Sequence, residues 1–277
     1  MKILAWKTIF AASSQVKDSD LVDLYGLRIS LVAGDQGLSK ELKVFKTHEP
    51  LATSLYLKEI KKGMYIVDIG SNIGYYVLLA AKRVDSEGKI LAIEPNPLTF
   101  KCLEKNVSLN RLRNVELRQI AVWDKETSVW FEASDALNLS RVINSNVISK
   151  NPGRKLICVQ AARLDSLLEN YERVDWLRFD VEGSEFEIIK GATRTLKRFK
   201  PNIFMEFHPK LLGIKKAILL LRKMQSYGYE IEYAITRAVD RSLIVKKDRD
   251  IRKIKLNDLI KEMKNPMPAY LLLLKKH

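Results

Sequence analysis

The chain of 277 residues holds only two cysteines and three histidines. Cys102 and Cys158 are too few for a disulfide framework or a cysteine-based structural zinc site. His48, His208 and His277 never fall at metal-ligand spacing, so no metal site is expected. No apolar run approaches the roughly 18 residues of a membrane span. The longest candidate, Pro268 to Leu274, is strand-sized. The start, Met1 to Lys7, faintly imitates a signal peptide, but Lys7 breaks its apolar run. Cytoplasmic residence is the expectation. Internal repeats and low-complexity linkers are also missing.

What is there suits a sizeable core. Hydrophobic residues make up 47% and charged residues 29%, which excludes a mostly disordered chain. The net charge is +15, from 48 basic against 33 acidic residues. Such a field attracts polyanions, and a lysine-rich proteome produces the same balance.

From residue 64 onward, apolar strand-like runs alternate with helical patterns, the mark of an α/β chain with a parallel sheet. Strands are expected at Met64 to Ile69, Lys89 to Glu94, Val115 to Val122, Val174 to Asp180 and Asn202 to Phe207. Tyr229 to Ala234 and Ala269 to Leu274 finish the sheet. Helices are expected at Tyr75 to Arg83, Pro97 to Asn110, Glu185 to Lys197 and Lys210 to Ser226. Residues 1–60 read as a small N-terminal cap with a helix near Leu51 to Ile60, ahead of a domain over 61–277. Within it, residues 123–163 look like a hairpin carrying a long polar loop, on the acceptor side.

Three clusters carry chemistry, all at strand ends. The first is Asp68-Ile69-Gly70-Ser71-Asn72-Ile73-Gly74. Its glycines allow a tight turn and close backbone approach of a ligand at a helix N-terminus. The dinucleotide fingerprint G-x-G-x-x-G is absent. Glu94 ends the next strand, where an acid can take both ribose hydroxyls, so the pair points to an adenosine-type ligand. The second cluster, Arg178 to Glu185, sets Asp180 at a strand tip, Glu182 in a turn and Glu185 in a first helical turn, where an acid favours the dipole. The third, Glu206-Phe207-His208-Pro209, ends the fifth strand. A histidine there suits a general base, since its ordinary pKa is near 6.5.

On these clusters, with Glu94-Pro95-Asn96-Pro97, Ala121-Val122 and Leu164-Asp165-Ser166-Leu167, the chain resembles the FkbM family of S-adenosylmethionine-dependent methyltransferases. The likeness runs from about Glu49 to Ala234. It implies the class I methyltransferase fold: a Rossmann-like sheet of seven strands, the last antiparallel. It also implies that Gly70, Asn72 and Gly74 line the methionine part of S-adenosyl-L-methionine, with Asp68 beneath the turn. Glu94 would hold the ribose and Ala121 the adenine, and Ser71, Pro95 and Asp180 complete the cofactor set. Ser71 stands where the family often has Ala, and Phe179 where Ile is common.

The sulfonium methyl is already activated, so the protein mainly aligns an acceptor and excludes water. His208 is the expected base, with Asp180 next and Glu206 sharing their edge; a metal bridging Asp180 and Glu206 is a further option that the sequence does not show. The resemblance favours O-methylation of a hydroxyl on a sugar, glycolipid or small metabolite. Charge placement keeps RNA in view: Lys190 to Lys223 holds ten basic residues against one acid, and Arg237 to Lys264 ten against five. No RNA-binding module is recognisable. A third reading is an inactive cofactor-binding partner subunit.

Overall fold

The computed structural model describes residues 21–134, 136–143, 155–237 and 251–276. The leader-like start, residues 144–154 of the polar loop and residues 238–250 of the second basic segment lie outside the described residues. The described chain opens with the hairpin β1 (Leu21–Leu24) and β2 (Leu27–Ser30), then α1 (Leu38–Phe45) and α2 (Pro50–Glu59). Next come β3 (Tyr65–Ile69), α3 (Tyr75–Val84), β4 (Lys89–Ile93), α4 (Pro97–Leu109) and β5 (Val115–Arg118). A small sheet follows, from β6 (Ala121–Trp123), β7 (Thr127–Ala133), β8 (Arg141–Ile143) and β9 (Lys155–Arg163).

After the short helix α5 (Leu164–Leu167) the chain returns through β10 (Trp176–Phe179), α6 (Glu185–Gly191), α7 (Thr193–Arg198) and β11 (Asn202–Phe207). It ends with α8 (Pro209–Leu212), α9 (Ile214–Ser226), β12 (Tyr229–Thr236), β13 (Ile251–Arg252), α10 (Leu256–Glu262) and β14 (Tyr270–Lys276). The large sheet has the order β13-β12-β14-β11-β10-β3-β4-β5. Strands β5 to β11 in that order are mutually parallel, while β14 runs antiparallel to both β11 and β12. This is the expected class I topology of seven strands, with the two-residue β13 added at one edge. The strand order reverses between β3 and β10, and that switch point opens a crevice at the strands' C-terminal ends.

The central strands are covered on both faces, which is why they read as continuous apolar runs. Their alternate residues split between two cores. Ile66, Ile90, Trp176 and Phe204 face α3, α4 and the N-terminal elements. Val67, Leu91, Leu177 and Met205 face α6 and α9. The N-terminal residues Val22, Ile29, Leu42 and Tyr56 belong to the first of these cores. Asn106 of α4 ties the hairpin to the sheet, accepting from the Ser30 N–H at 2.6 Å and donating to its carbonyl at 3.0 Å.

Local chemistry explains most boundaries. Asn96 caps α4 by accepting from the Leu98 N–H at 3.0 Å, with Pro97 at the first helical position. On α9, Ala217, Leu220, Leu221 and Met224 recur at helical spacing and are buried. Three expected elements are divided. Val115 to Val122 is two strands in two sheets, broken at Gln119 and Ile120 where the chain leaves β5 for β6. The helix over 185–197 breaks at Ala192. There Gly191 lies so close to Trp123 that an added Cβ would sit 2.1 Å from its carbonyl oxygen. The helix over 210–226 is interrupted by Gly213, at φ +81°. The runs around Val129 and Val159 pair antiparallel as β7 and β9. No helix among the described residues is long and apolar enough to cross a membrane.

Candidate active site

The glycine turn between β3 and α3 is built by close approach. Gly70 has φ +77°, and an added Cβ would lie 2.1 Å from the Asp180 carbonyl oxygen, so only glycine fits. The Gly70 and Ser71 N–H groups both donate to the Ile93 carbonyl, at 2.9 and 3.1 Å, which lashes the turn to β4. Asn72 is left-handed at φ +51°, a conformation asparagine tolerates. Its N–H donates to Glu94 Oε2 at 2.8 Å, while Glu94 Oε1 accepts from the Asn96 N–H at the same distance. Burial pushes the Glu94 carboxyl up to about 7, partly opposed by those two N–H donors. Each carboxylate oxygen keeps a lone pair for a ligand hydroxyl.

Asp68 lies wholly buried beneath the turn. Ser71 Oγ donates to its Oδ1 at 2.9 Å, and Arg178 Nη1 lies 3.2 Å from the same oxygen. The Arg178 guanidinium also stacks 4.2 Å from the Tyr76 ring centroid and reaches Asp180 at 3.6 Å. Burial raises the Asp68 pKa, and Arg178 opposes that rise. The sequence pattern alone gives Arg178 no role. The available signal was a charge inside an apolar strand, which must be paired when buried.

Behind the crevice surface lies a buried cluster of carboxylates around an imidazole. His208 Nδ1 is 2.6 Å from Glu185 Oε1, and its Nε2 is 3.4 Å from both Glu206 and Glu182. Burial pulls the His208 pKa down, but the hydrogen bonds to Glu185 and Glu206 prevail and hold it well above the ordinary value. Burial and the neighbouring Asp180 charge push Glu206 to about 8, and burial pushes Glu182 to about 7. The hydrogen bonds to Glu185 and Glu206 favour the protonated form of His208, the expected base. Glu185 both opens α6 and holds this ring. Ligand atoms of Asp180, Glu182 and His208 lie within 4.8 Å of one another, close enough for a divalent ion. Two carboxylates and an imidazole are a donor set that a divalent ion can use, since metal binding displaces the imidazole proton.

An open cleft of about 810 Å³, partly shared with solvent, lies over the glycine turn. Gly70, Ser71, Asn72, Glu94, Pro95, Ala121 and Asp180 all line it, each a residue expected at the cofactor. Asp68, Gly74, Glu206 and His208 stand behind that surface and are not among its lining residues. His48, Tyr75 and Phe131, to which the sequence pattern gives no role, line the cleft from the approach to α2, from α3 and from β7. His48 directly precedes a Glu-Pro helix start, a signal that marked α2 but said nothing of a site.

The model of the methyltransferase FkbM domain matches residues 68–231, from the acid beneath the glycine turn into β12. The chain belongs to the FkbM methyltransferase family. "Methyltransferase 1" of Beauveria bassiana is 30% identical, over 46% of this chain and 57% of its own. "Hexuronic acid methyltransferase AglP" of Haloferax volcanii is 28% identical, over 52% of this chain and 56% of its own. The chain spans little more than half the length of these two curated relatives. A solved FkbM methyltransferase from Methylobacillus flagellatus superposes with a TM-score of 0.41 at 12% identity, covering 80% of this chain and 51% of that one. S-adenosylmethionine is the cofactor of this FkbM domain, and its residues fit that cation: Glu94 offers acceptors on the cleft, and the buried Asp180 Oδ1 has no hydrogen-bond partner.

Proposed function

We propose that this FkbM domain transfers a methyl group from S-adenosylmethionine to a hydroxyl of a sugar, glycolipid or small metabolite. The observation that carries the reading is one cleft on which the glycine turn, Glu94 and Asp180 converge at the sheet's switch point. When bound, the cofactor supplies a methyl already activated on a sulfonium, so little covalent chemistry falls to the protein. Glu94 would accept from the ribose hydroxyls, and the backbone beside Ala121 would meet the adenine. Gly70, Ser71, Asn72 and Pro95 would border the cofactor, and Asp180 would face its positive charge. The ion pair of Arg178 with Asp68 would keep the turn rigid beneath it.

A sugar hydroxyl is supported by the name of the relative from Haloferax volcanii, and Asn72, Ser140 and Ser184 offer hydrogen-bonding groups on a mostly apolar cleft surface. RNA as the acceptor has no recognisable binding module in the sequence to support it. Part of the basic character is also spent locally: Lys190 pairs with Asp124 at 2.5 Å and Lys216 with Glu187 at 2.6 Å. The test is transfer of label from S-adenosylmethionine to 4-nitrophenyl β-D-glucuronide, its glucoside and fractionated extract. Label in carbohydrate or lipid supports the reading; label removed by ribonuclease refutes it. Cofactor binding without any transfer would favour the inactive partner subunit.

A further inference from the structure

Two histidines are buried beside the cleft, and of the two only His48 is among the described residues that line it. We propose that His48, oriented by Glu41, is the base that takes the acceptor hydroxyl's proton, an inference that rests on the methyltransferase reading above.

The ring is held from several sides. Its Nδ1 lies 2.9 Å from Glu41 Oε2. The His48 carbonyl accepts from Thr53 Oγ1 at 2.8 Å and from the Tyr75 hydroxyl at 3.3 Å. Tyr75 and Tyr76 pack edge-on against the imidazole, at centroid distances of 5.5 and 6.3 Å. A carboxylate on Nδ1 fixes the tautomer: Nδ1–H donates to Glu41, and Nε2 keeps the lone pair. That is the arrangement of an oriented general base.

The second nitrogen has a counter-charge ready. Nε2 is 3.4 Å from Glu49 Oε1, too long for a strong hydrogen bond but near enough to stabilise an imidazolium as it forms. Glu49 is itself anchored by the Tyr76 hydroxyl at 2.9 Å and by Arg237. Its backbone is left-handed at φ +44°, directly before Pro50. A residue in that position ordinarily stays extended. Strain of this kind persists where surroundings over-determine it, commonly at working sites.

The charged groups facing the ring come from every neighbouring element: Glu41 on α1, Glu49 before α2, Asp180 after β10 and Arg237 after β12. Tyr75 and Tyr76 on α3 add neutral hydroxyls. Burial prevails over the acids, with Arg237 helping, and holds the His48 pKa below the ordinary imidazole value. The ring is therefore neutral at pH 7 and able to accept. In the transfer, the hydroxyl oxygen bonds to the methyl carbon as the methyl–sulfur bond breaks and its electron pair neutralises the sulfonium. The hydroxyl proton passes to Nε2, leaving a methyl ether, a thioether and an imidazolium that returns its proton to solvent.

The test uses the full chain. Imidazole resonances are followed by NMR from about pH 4.5 to 9, His48 being assigned with His48→Gln. The expected midpoint lies below about 6.5 and falls further in Glu41→Gln, which removes a group that raises it. In transfer to the two nitrophenyl glycosides at saturating S-adenosylmethionine, His48→Gln should lower kcat at least about 100-fold and abolish the acid limb of the kcat–pH profile. Its calorimetric affinity for S-adenosylmethionine should stay within about twofold, which also confirms folding. Glu41→Gln should move that limb to lower pH. A His48 midpoint at or above 6.5, or a wild-type profile in His48→Gln, overturns the assignment. A wild-type chain that binds no S-adenosylmethionine overturns the methyltransferase reading itself, and the base falls with it.

Discussion

His48 and His208 are equally buried, each with 5% of its surface exposed, and each has a carboxylate within hydrogen-bonding distance of Nδ1. Their pKa values nevertheless move in opposite directions. At His208 the partner Glu185 is itself fully buried, and Glu206 and Glu182 crowd the other nitrogen. At His48 the partner Glu41 is one-third exposed, so water screens it, and Arg237 adds an opposing charge. Burial alone makes an imidazole neutral. Several close carboxylates are needed to reverse that, as they do around His208.

The comparison breaks hardest where a buried partner is removed. His208→Ala would leave Glu185, Glu206 and Glu182 without their cation, and Arg178→Met would leave Asp68 without its own. Each should destabilise the fold by about 3–5 kcal/mol in urea unfolding. Pairing Arg178→Met with Asp68→Asn should restore most of that loss; no recovery would mean that the ion pair is not what Arg178 contributes.

The two histidines should also give opposite pH dependences of stability. The folded pKa of His208 is raised, so its contribution is fully present below about 6.5 and is lost as pH climbs through the raised value. Glu206 acts in the same direction, since its folded value near 8 exceeds that of a free carboxyl. The folded pKa of His48 is depressed, so this group weakens the fold as pH falls below about 6.5, where only the unfolded state gains the proton. Unfolding free energies measured between about pH 5 and 9 in His48→Gln and His208→Gln should therefore lose slopes of opposite sign. Identical profiles would remove the distinction between the two rings.

On the cofactor side, Glu94→Ala should weaken S-adenosylmethionine binding about ten- to a hundredfold, through loss of charge-assisted acceptors. With Glu94 near 7, wild-type affinity should also fall with pH, at pH 6 to about a tenth of its value with Glu94 fully ionised. Calorimetry checks both, and unchanged affinity in Glu94→Ala would sink the ribose assignment. The smallest effect is expected at the surface. Reversing Lys190 and Lys216 to Glu should leave transfer to the nitrophenyl glycosides unchanged across salt concentrations, and a steep salt response would return a polyanion to consideration.

The two sides of the cleft differed in how far they could be read beforehand. Gly70, Asn72 and Glu94 announced themselves because a tight turn and an acid at a strand tip are local patterns, a few residues long. Asp180 was visible for the same reason. Arg178 and Glu185 were in plain sight but undirected, since a buried charge declares its purpose only through its partner. The division of the Val115 to Val122 run between two sheets was equally hidden, because a continuous apolar run does not say which sheet each half joins.

The sequence by itself determined the alternation of strands and helices, the glycine turn and the acid that grips it, because periodicity and turn chemistry act between near neighbours. Only the tertiary structure decided which histidine meets the cleft and which is locked behind it. His48 and Asp180 are brought together by the packing of the N-terminal elements against the sheet. The protonation of each ring then follows from the balance of desolvation and charge at that place. That balance is a property of the assembled neighbourhood, and no stretch of sequence carries it.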